Sequence, residues 1–299
     1  MNDHGPILVP LDGSELAEGI LPYAAALADA LRTHLAIVTV WEGTERDLAN
    51  FPVLAADYER SARECFDEYH KGIIARLRRD GTTRMVREGD AQDEILKAAE
   101  EVDARAIAIA THGRSGFGRW LYGSVAAGIL RRSPVPLLVA GPKALGRKPE
   151  RAEFKHIMVP LDGKELSEAA LPVATQLAAK TGARVTLVRA VNWAVQTYPY
   201  TLPSAYVPQV DEELEAGAKA YLRRKEDEIR DAVASVDAYV VRGSAADGLL
   251  EFADGRGVDL VVMTTHARSG LARAALGSVA DRMVQARVPL LLVPPEALA

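Results

Sequence analysis

The chain has 299 residues, of which 48% are hydrophobic and 26% are charged, and its formal net charge is −5. These values are typical of a globular protein, and the weak acidic balance excludes the basic surface that nonspecific nucleic-acid binding requires. The amino end carries no signal-peptide pattern and no apolar run approaches the ~18 residues of a membrane span, so we expect a cytoplasmic protein without nucleic-acid or membrane partners.

The first half of the chain alternates short apolar runs with segments of helical periodicity. Apolar runs bounded by turn residues are typical of buried strands, and apolar residues at every third or fourth position indicate helices that lie on a sheet. In chain order the predicted elements are strand Ile7–Asp12, helix Leu16–Leu31, strand Leu35–Trp41, helix Asn50–Asp80, strand Thr83–Arg87, helix Gln92–Glu101, strand Ala104–Ala110, helix Gly123–Arg132 and strand Pro134–Val139. This alternation predicts a parallel sheet with helices on both faces.

The second half of the chain repeats the first. ILVPLDGSELAEGILP from Ile7 aligns with IMVPLDGKELSEAALP from Ile157, and THGRSGFGRWLYGSVAAGIL from Thr111 aligns with THARSGLARAALGSVADRMV from Thr265. This internal repeat predicts two domains, each within the usual size range of a domain. We expect a first unit at residues 1–143, a linker rich in Gly, Pro and charge at 144–155, and a second unit at 156–299.

One irregular stretch interrupts the repeat. Residues Asn192 to Glu213 contain three prolines and four aromatic residues, which predicts a loop instead of a regular helix. Two interpretations are open for this loop. It either packs on its own domain or serves as a lid or a partner surface.

The sequence lacks a recognisable catalytic or metal-binding constellation. No HExxH motif, GxSxG motif or cluster of His, Cys and carboxylates with metal spacing is present. The single cysteine, Cys65, excludes an internal disulfide and is predicted to be a half-buried structural thiol. His112 and His266 recur beside a glycine-bearing stretch, where packing or hydrogen bonding is the favoured role. Arg114 and Arg268 either contact phosphates or are solvated.

This glycine-bearing stretch lies between the strand that ends at Ala110 and the helix that begins at Gly123-Ser124. Such a junction offers free backbone N–H groups and the positive end of a helix dipole, which together favour a phosphate. The Walker A pattern is absent because no Lys follows these glycines. The GxGxxG pattern fails because Leu121 stands where the third glycine belongs.

The stretch resembles the ATP-loop of the universal stress protein family, which reads G-x-x-G, nine residues, then G and Ser or Thr. Here Ala110, Thr111, His112 and Gly113 are followed by the nine residues RSGFGRWLY and then Gly123-Ser124. The VPLDGS opening and the VPLL ending are also similar to that family. The chain therefore resembles a tandem universal stress protein. The resemblance implies two doubly wound, Rossmann-like parallel sheets of strand order 3-2-1-4-5, with a ligand crevice between strands 1 and 4.

The resemblance also assigns site residues position by position. In the first unit they are Pro10, Leu11, Asp12 and Val40 around the base and ribose, Ile109 and Ala110 along the loop, and Gly113, Gly123, Ser124 and Val125 around the phosphates. Their counterparts in the second unit are Pro160, Leu161, Asp162, Ala190, Met263, Gly277, Ser278 and Val279. An Asp before Gly-Ser is also a common turn former, and this fits Asp12 equally well.

Departures from the family pattern predict unequal sites. Ala110 occupies the first glycine position of the first unit, whereas Thr264 and Ala267 replace both leading glycines of the second. A β-carbon at position 267 disfavours a left-handed backbone and crowds an approaching phosphate. The bulkier Val40 is also replaced, by Ala190. We therefore expect the first unit to be the better nucleotide site.

The resemblance implies a stress-response or signalling protein that holds ATP or another adenine nucleotide, together with Mg²⁺. Two alternatives remain open, a slow ATP hydrolase or nucleotidyl-transfer enzyme on the same fold, and an interaction scaffold without nucleotide. The apolar final strands, PVPLLVA from Pro134 and VPLLLVP from Val288, are expected at sheet edges that need cover. We expect them to pair within the chain as a pseudo-dimer, with a homodimer through other surfaces as a further option.

Overall fold

The computed structural model describes residues 5–41, 52–111, 123–192, 208–264 and 277–294. Its strands are β1 Ile7–Pro10, β2 Leu35–Trp41, β3 Thr83–Glu88, β4 Ala106–Ala110, β5 Leu137–Ala140, β6 His156–Pro160, β7 Arg184–Val191, β8 Ser235–Arg242, β9 Leu260–Thr264 and β10 Leu290–Val293. Its helices are α1 Glu15–Glu18, α2 Leu21–Leu31, α3 Pro52–Leu77, α4 Ala91–Glu101, α5 Ser124–Arg132, α6 Pro142–Leu145, α7 Glu165–Glu168, α8 Ala170–Thr181, α9 Pro208–Ile229, α10 Ala245–Gly255 and α11 Ser278–Met283, with a 3-10 turn at Arg230–Ala232.

These strands form one continuous sheet of order β3-β2-β1-β4-β5-β10-β9-β6-β7-β8. Within each half the neighbouring strands run parallel, and the order in both halves is 3-2-1-4-5. The predicted α/β fold class is confirmed. The halves meet where β5 and β10 pair antiparallel, with Leu138 opposite Leu291, so the final strands pair within the chain as predicted.

The core covers both faces of this sheet. Successive residues of a strand point to opposite faces, so Ile7 and Val9 join one buried cluster and Leu8 joins the other. Both clusters continue across the seam between β5 and β10, because Leu138 and Leu291 belong to the first and Val139 and Leu290 to the second. The side chains at the seam are therefore as buried as those in the interior of either half.

The first predicted helix is divided in two. The prediction of one helix over residues 16–31 was wrong, because α1 ends at Glu18 and α2 begins at Leu21. Pro22 lies in the first turn of α2 and has no N–H to donate, so the hydrogen-bond ladder is interrupted there. Gly19 and Ile20 keep right-handed helical dihedrals, and the apolar stripe therefore stays on one face.

A short helix, α6, overlaps the start of the predicted linker. Gly141 precedes Pro142, whose fixed φ suits the first position of a helix. The Tyr23 hydroxyl donates to the Ala144 carbonyl at 2.8 Å, and Arg147 Nη1 donates to the Arg287 carbonyl at 3.3 Å. The segment after β5 thus binds back to both halves of the sheet.

Two smaller expectations were also wrong. Residues Pro208–Glu213 were expected to be irregular but begin α9, because a proline is tolerated in the first turn of a helix. The remainder of that predicted loop, 193–207, lies outside the described residues. Cys65 is exposed on the polar helix α3, not half-buried.

A buried histidine joins α3 to the strands beneath it. His70 is 0% exposed, and its Nε2 lies 2.8 Å from Thr39 Oγ1. Thr39 Oγ1 donates its only proton to the Leu11 carbonyl at 2.9 Å, so it accepts a hydrogen bond from Nε2–H of His70. Nδ1 of His70 is therefore unprotonated. Within the described part of the chain, Nδ1 has no hydrogen-bond partner. Burial lowers the pKa of His70, opposed by Asp67 and reinforced by Arg84.

This arrangement predicts a loss of stability in acid. The pKa of His70 is lower in the folded than in the unfolded chain, where it is about 6.5. The contribution of neutral His70 to the free energy of unfolding is therefore complete above pH 6.5. It is lost as the pH falls through that value towards the pKa of His70 in the folded chain. His156, whose pKa burial also lowers, contributes in the same direction.

Urea unfolding at several pH values measures this effect. In His70→Leu the pH dependence should shrink without vanishing, since His156 remains. Leu is the residue of the second unit at this position, because Leu222 follows Tyr221 as His70 follows Tyr69, and the two tyrosines donate alike to Glu168 and Glu18. An unchanged pH dependence would assign the acid effect to other groups.

Candidate functional site

A cavity of about 260 Å³ opens at the carboxyl ends of β1 and β4, where the strand order of the first half reverses. Ligands of open α/β sheets bind at this switch point. The cavity is lined by Pro10, Leu11, Asp12, Ala17, Val38, Val40, Ala91, Ile95, Ile109, Ala110, Gly123, Ser124, Val125 and Ala126. The connections that follow β1 and β4 lead away from each other on the two sides of the switch point. The gap between them is the cavity that these residues line.

The second half has a matching cavity of about 240 Å³ at the ends of β6 and β9. It is lined by Pro160, Leu161, Asp162, Ser167, Ala190, Ala245, Leu249, Met263, Thr264, Gly277, Ser278, Val279 and Ala280. The two volumes differ little. Any inequality between the two sites must therefore arise from their chemistry and backbone and not from their size.

The predicted site residues within the described ranges all line one of these two cavities. Gly113, Arg114 and Ala267 lie outside the described residues, so the structure places none of the three. The ligand roles of the others remain predictions, but the fold does bring them together.

One wall of each cavity was not predicted from the sequence. Ala91 and Ile95 come from the first turns of α4, and Ala245 and Leu249 come from the same turns of α10. Asp90 caps α4 by accepting from the amides of two following residues. This cap directly after strand β3 could have indicated that α4 lines the cavity. A helix that begins at the carboxyl edge of a parallel sheet begins beside the crevice.

The walls of the first cavity are apolar and its few polar groups lie at the rim. Val38, Val40, Ile95 and Ile109 supply branched side chains, whereas Asp12 carries a carboxylate. Apolar walls with a small number of placed polar groups are typical of sites that hold a small organic ligand. The lining suits a flat apolar ring with a polar or charged extension.

Asp12 forms a turn. Its Oδ1 accepts from Ser14 N at 2.9 Å and from Ser14 Oγ at 2.6 Å. Ser14 Oγ in turn accepts from Ala17 N at 3.1 Å and so caps α1. In the second unit, Oδ1 of Asp162 accepts from Lys164 N at 2.9 Å. The turn-forming role is thus present in both units, and each carboxylate remains exposed at its cavity rim.

The helix starts at the two cavities differ. Gly123 caps α5 with φ −53° and ψ 151°, a conformation open to any residue, whereas Gly277 caps α11 with φ +86°, which favours glycine. Helix α5 has 9 residues and α11 has 6. The first-turn amides of a helix have no partners within it, and Arg131 and Arg132 in the last turn of α5 suit its dipole. The two cavities therefore differ in the backbone conformation at the start of the adjoining helix and in the length of that helix.

In the parts of the chain that the structure describes, no group of three or more His, Cys, Asp and Glu side chains is arranged to hold a metal ion. The described helices also include none with the length and apolar character needed to cross a bilayer.

Comparison with known proteins matches both halves of the chain. Residues 4–141 and 153–294 each match the model of the universal stress protein family. A universal stress protein of Methanocaldococcus jannaschii is 31% identical over 144 residues, which are 47% of this chain and 82% of that protein. One of Mycobacterium tuberculosis is 25% identical over 305 residues, with 97% of this chain and 96% of the other covered.

A solved structure has the same fold along the whole chain. The crystal structure of a universal stress protein from Archaeoglobus fulgidus superposes with a TM-score of 0.70 at 20% identity and covers 97% of this chain and 98% of its own. At that identity the likeness concerns the fold alone. Because the family model matches nearly all of both units, the chain belongs to the universal stress protein family.

Proposed function

We propose that the first unit binds an adenine nucleotide, with ATP as the leading candidate, and that the protein acts in a stress response or in signalling by holding this ligand. The observation that carries the proposal is the first cavity. It lies at the switch point of the sheet, has apolar walls, and ends at the amino terminus of a nine-residue helix. Membership of the family supports the same function.

Each part of the lining has a role in this proposal. Val40 and Ile109 would pack on the two sides of the adenine ring, and the exposed Asp12 carboxylate would accept from the ribose hydroxyls or the adenine edge. The amides at Gly123 and Ser124 would donate to the phosphates. Mg²⁺ would enter with ATP on the phosphate oxygens.

The first unit is proposed to be the better site. Its helix α5 is longer than α11, and Gly123 takes a different conformation from Gly277. In the wall of the second cavity the larger Thr264 takes the place of Ala110, and Ala190 takes the place of Val40. Loss of one hydrogen bond to a charged phosphate weakens binding by about 1–3 kcal/mol.

Calorimetry with ATP and Mg²⁺ on the intact chain tests this proposal. We expect one tighter and one weaker or silent site, and an Ala267→Gly variant should strengthen the weaker one. Separated halves are unsuitable, because cutting at the seam exposes the buried edges of β5 and β10. Two sites of equal affinity would contradict the proposed inequality, and no binding would contradict the proposed ligand.

Mass spectrometry of small molecules released by heat from freshly purified protein provides the complementary test. An adenine nucleotide in the released fraction is the expected result. Linear, multiple-turnover release of ADP or AMP from added ATP would instead indicate a hydrolase or nucleotidyl-transfer enzyme. Protein that carries and binds no nucleotide would be an interaction scaffold.

A further inference from the structure

The second unit differs from the first in the charge of the groups around its Asp-Gly turn. Lys164 replaces Ser14 directly after the turn, and Arg189 of β7 replaces Thr39 of β2. In the first unit Thr39 is buried and hydrogen-bonded to Leu11 and His70. The second unit therefore places two cations where the first has two hydroxyl groups.

Arg189 is held in a defined position. Its Cζ lies 4.8 Å from the centre of the Tyr221 ring on α9, the geometry of a cation–π contact. Its guanidinium also fits against the backbone of the turn, since a methyl group placed on Gly163 would lie 2.9 Å from an Nη atom. A methyl group on Gly13, the matching residue of the first unit, would meet nothing within 4 Å.

The carboxylates near Arg189 are used by other groups. Glu168 accepts from the Tyr221 hydroxyl at 2.8 Å and pairs with Lys225 at 2.8 Å. Asp162 Oδ1 accepts from the backbone of Lys164. Among the described residues, no hydrogen-bond acceptor lies within bonding distance of the Arg189 guanidinium or the Lys164 ammonium. Both cations therefore retain donors for a ligand.

Arg189 lies against the turn that borders the second cavity, and Lys164 follows that turn in the chain. Leu161 and Asp162 line that cavity, and the next residue, Gly163, contacts Arg189. The exposed carboxylate of Asp162 offsets one of these two positive charges, and the net attraction that remains grows with the negative charge of the ligand, so a group with more than one negative charge is favoured. The planar fork of an arginine matches the oxygens of a phosphate, and Lys164 adds a second positive charge.

We propose that Arg189 and Lys164 form a phosphate-binding subsite beside the second cavity. The subsite lies on the β7 side of the Asp162–Gly163 turn, away from the start of α11, and the first unit has no equivalent. It binds the phosphate of a free polyphosphate or the phosphate of a nucleotide whose base occupies the second cavity. The subsite does not depend on nucleotide binding by the first unit.

Binding of inorganic pyrophosphate to the intact chain tests the subsite. Calorimetry gives the affinity, and the amide shifts of Gly163 and Lys164 report its place. Arg189→Thr, which installs the residue of the first unit, should weaken binding about 10-fold or more, as expected for lost hydrogen bonds between charged groups. Arg189→Lys keeps the charge but loses the fork, so it should retain part of the affinity.

Arg223→Thr is the matched control. Arg223 is exposed on α9 and carries the same charge two residues from Tyr221. This variant should bind within about 2-fold of wild type, because exposed charges at a distance are screened by salt. Equal losses in Arg223→Thr and Arg189→Thr would overturn the subsite, as would unchanged binding in a folded Arg189→Thr. If Arg189→Thr fails to fold, wild-type affinity and shifts in Arg189→Lys would overturn it.

A second set of variants distinguishes the two sources of the phosphate. In a Gly123→Val background, which blocks the proposed first site, ADP and pyrophosphate are compared with and without Ala190→Phe, which fills the second cavity. Loss of ADP with retention of pyrophosphate supports a nucleotide that spans cavity and subsite. Retention of both supports a free polyphosphate. Loss of both would overturn a subsite that lies outside the cavity.

Discussion

The Leu138→Asp substitution is expected to lower the free energy of unfolding of the chain by about 4 kcal/mol or more. Leu138 is 0% exposed in β5 and lies opposite Leu291, also 0% exposed, in β10. Aspartate there places a carboxylate among apolar side chains of both halves, without a partner for its charge. A loss of this size is a large part of the stability of an ordinary protein.

Urea unfolding and limited proteolysis together measure this loss. Because the same position joins the two halves, the linker after α6 should be cut more rapidly than in wild type. Leu291→Asp, on the other strand of the β5–β10 pair, should lower the stability and speed the cutting of the linker in the same way. Leu214→Asp is the matched control, since Leu214 is 42% exposed on α9 and the same change there should cost little. Unchanged stability and cutting in Leu138→Asp would show that the β5–β10 pair does not hold the halves together.

The fold was predictable because its signals are local and repeated. Each apolar run, such as residues 35–41, is too short for a helix and is followed by a segment of helical period, which leaves a parallel sheet as the main solution. The duplication then doubles the evidence for each element. The pairing of β5 with β10 was predicted from the apolar character of both strands together with the edge position and the pairing that the resemblance to the family implies.

Other features depend on contacts that a local pattern does not contain. The break between α1 and α2 follows from Pro22, but the apolar stripe from Leu16 to Leu31 hides it, since both helices bury the same face. The short helix α6 depends on a hydrogen bond from Tyr23, 121 residues earlier in the chain. Such long-range partners are invisible in the linker's own composition.

The candidate site was predictable in part for a related reason. Residues at the ends of β1 and β4 were predicted because their motifs recur and resemble those of the family, whereas Ala91 and Ile95 lie on a helix outside these motifs. Arg189 was also missed. It lies in a strand where the sequence pattern predicts only burial, and its position beside the turn is set by the ring of Tyr221 on a distant helix.

The Gly123→Val substitution is expected to abolish ATP binding to the first unit while leaving the fold intact. With φ −53° and ψ 151°, Gly123 has a backbone that valine adopts without strain. The added side chain would occupy the space proposed for the phosphates and separate them from several amides, each hydrogen bond to charge being worth about 1.5–3 kcal/mol. Affinity should therefore fall by about 100-fold or more.

Ser124→Ala should have a smaller effect, because it removes one hydroxyl donor and keeps the amides. A loss of about 10-fold is expected, near the lower limit for one hydrogen bond to a charged group. Calorimetry with ATP on the intact chain measures both variants, and thermal unfolding checks that each is folded. The order of the two losses distinguishes binding by backbone amides from binding by a side chain.

Gly72→Val is the matched control for the glycine substitution. Gly72 is exposed on α3, and a methyl group placed there meets nothing within 4 Å. Gly277→Val is a poor control, since its φ of +86° would strain a valine whether or not a ligand binds. Wild-type ATP affinity in a folded Gly123→Val chain would move the nucleotide away from the start of α5. In that case, the phosphates of the bound nucleotide would lie away from this helix.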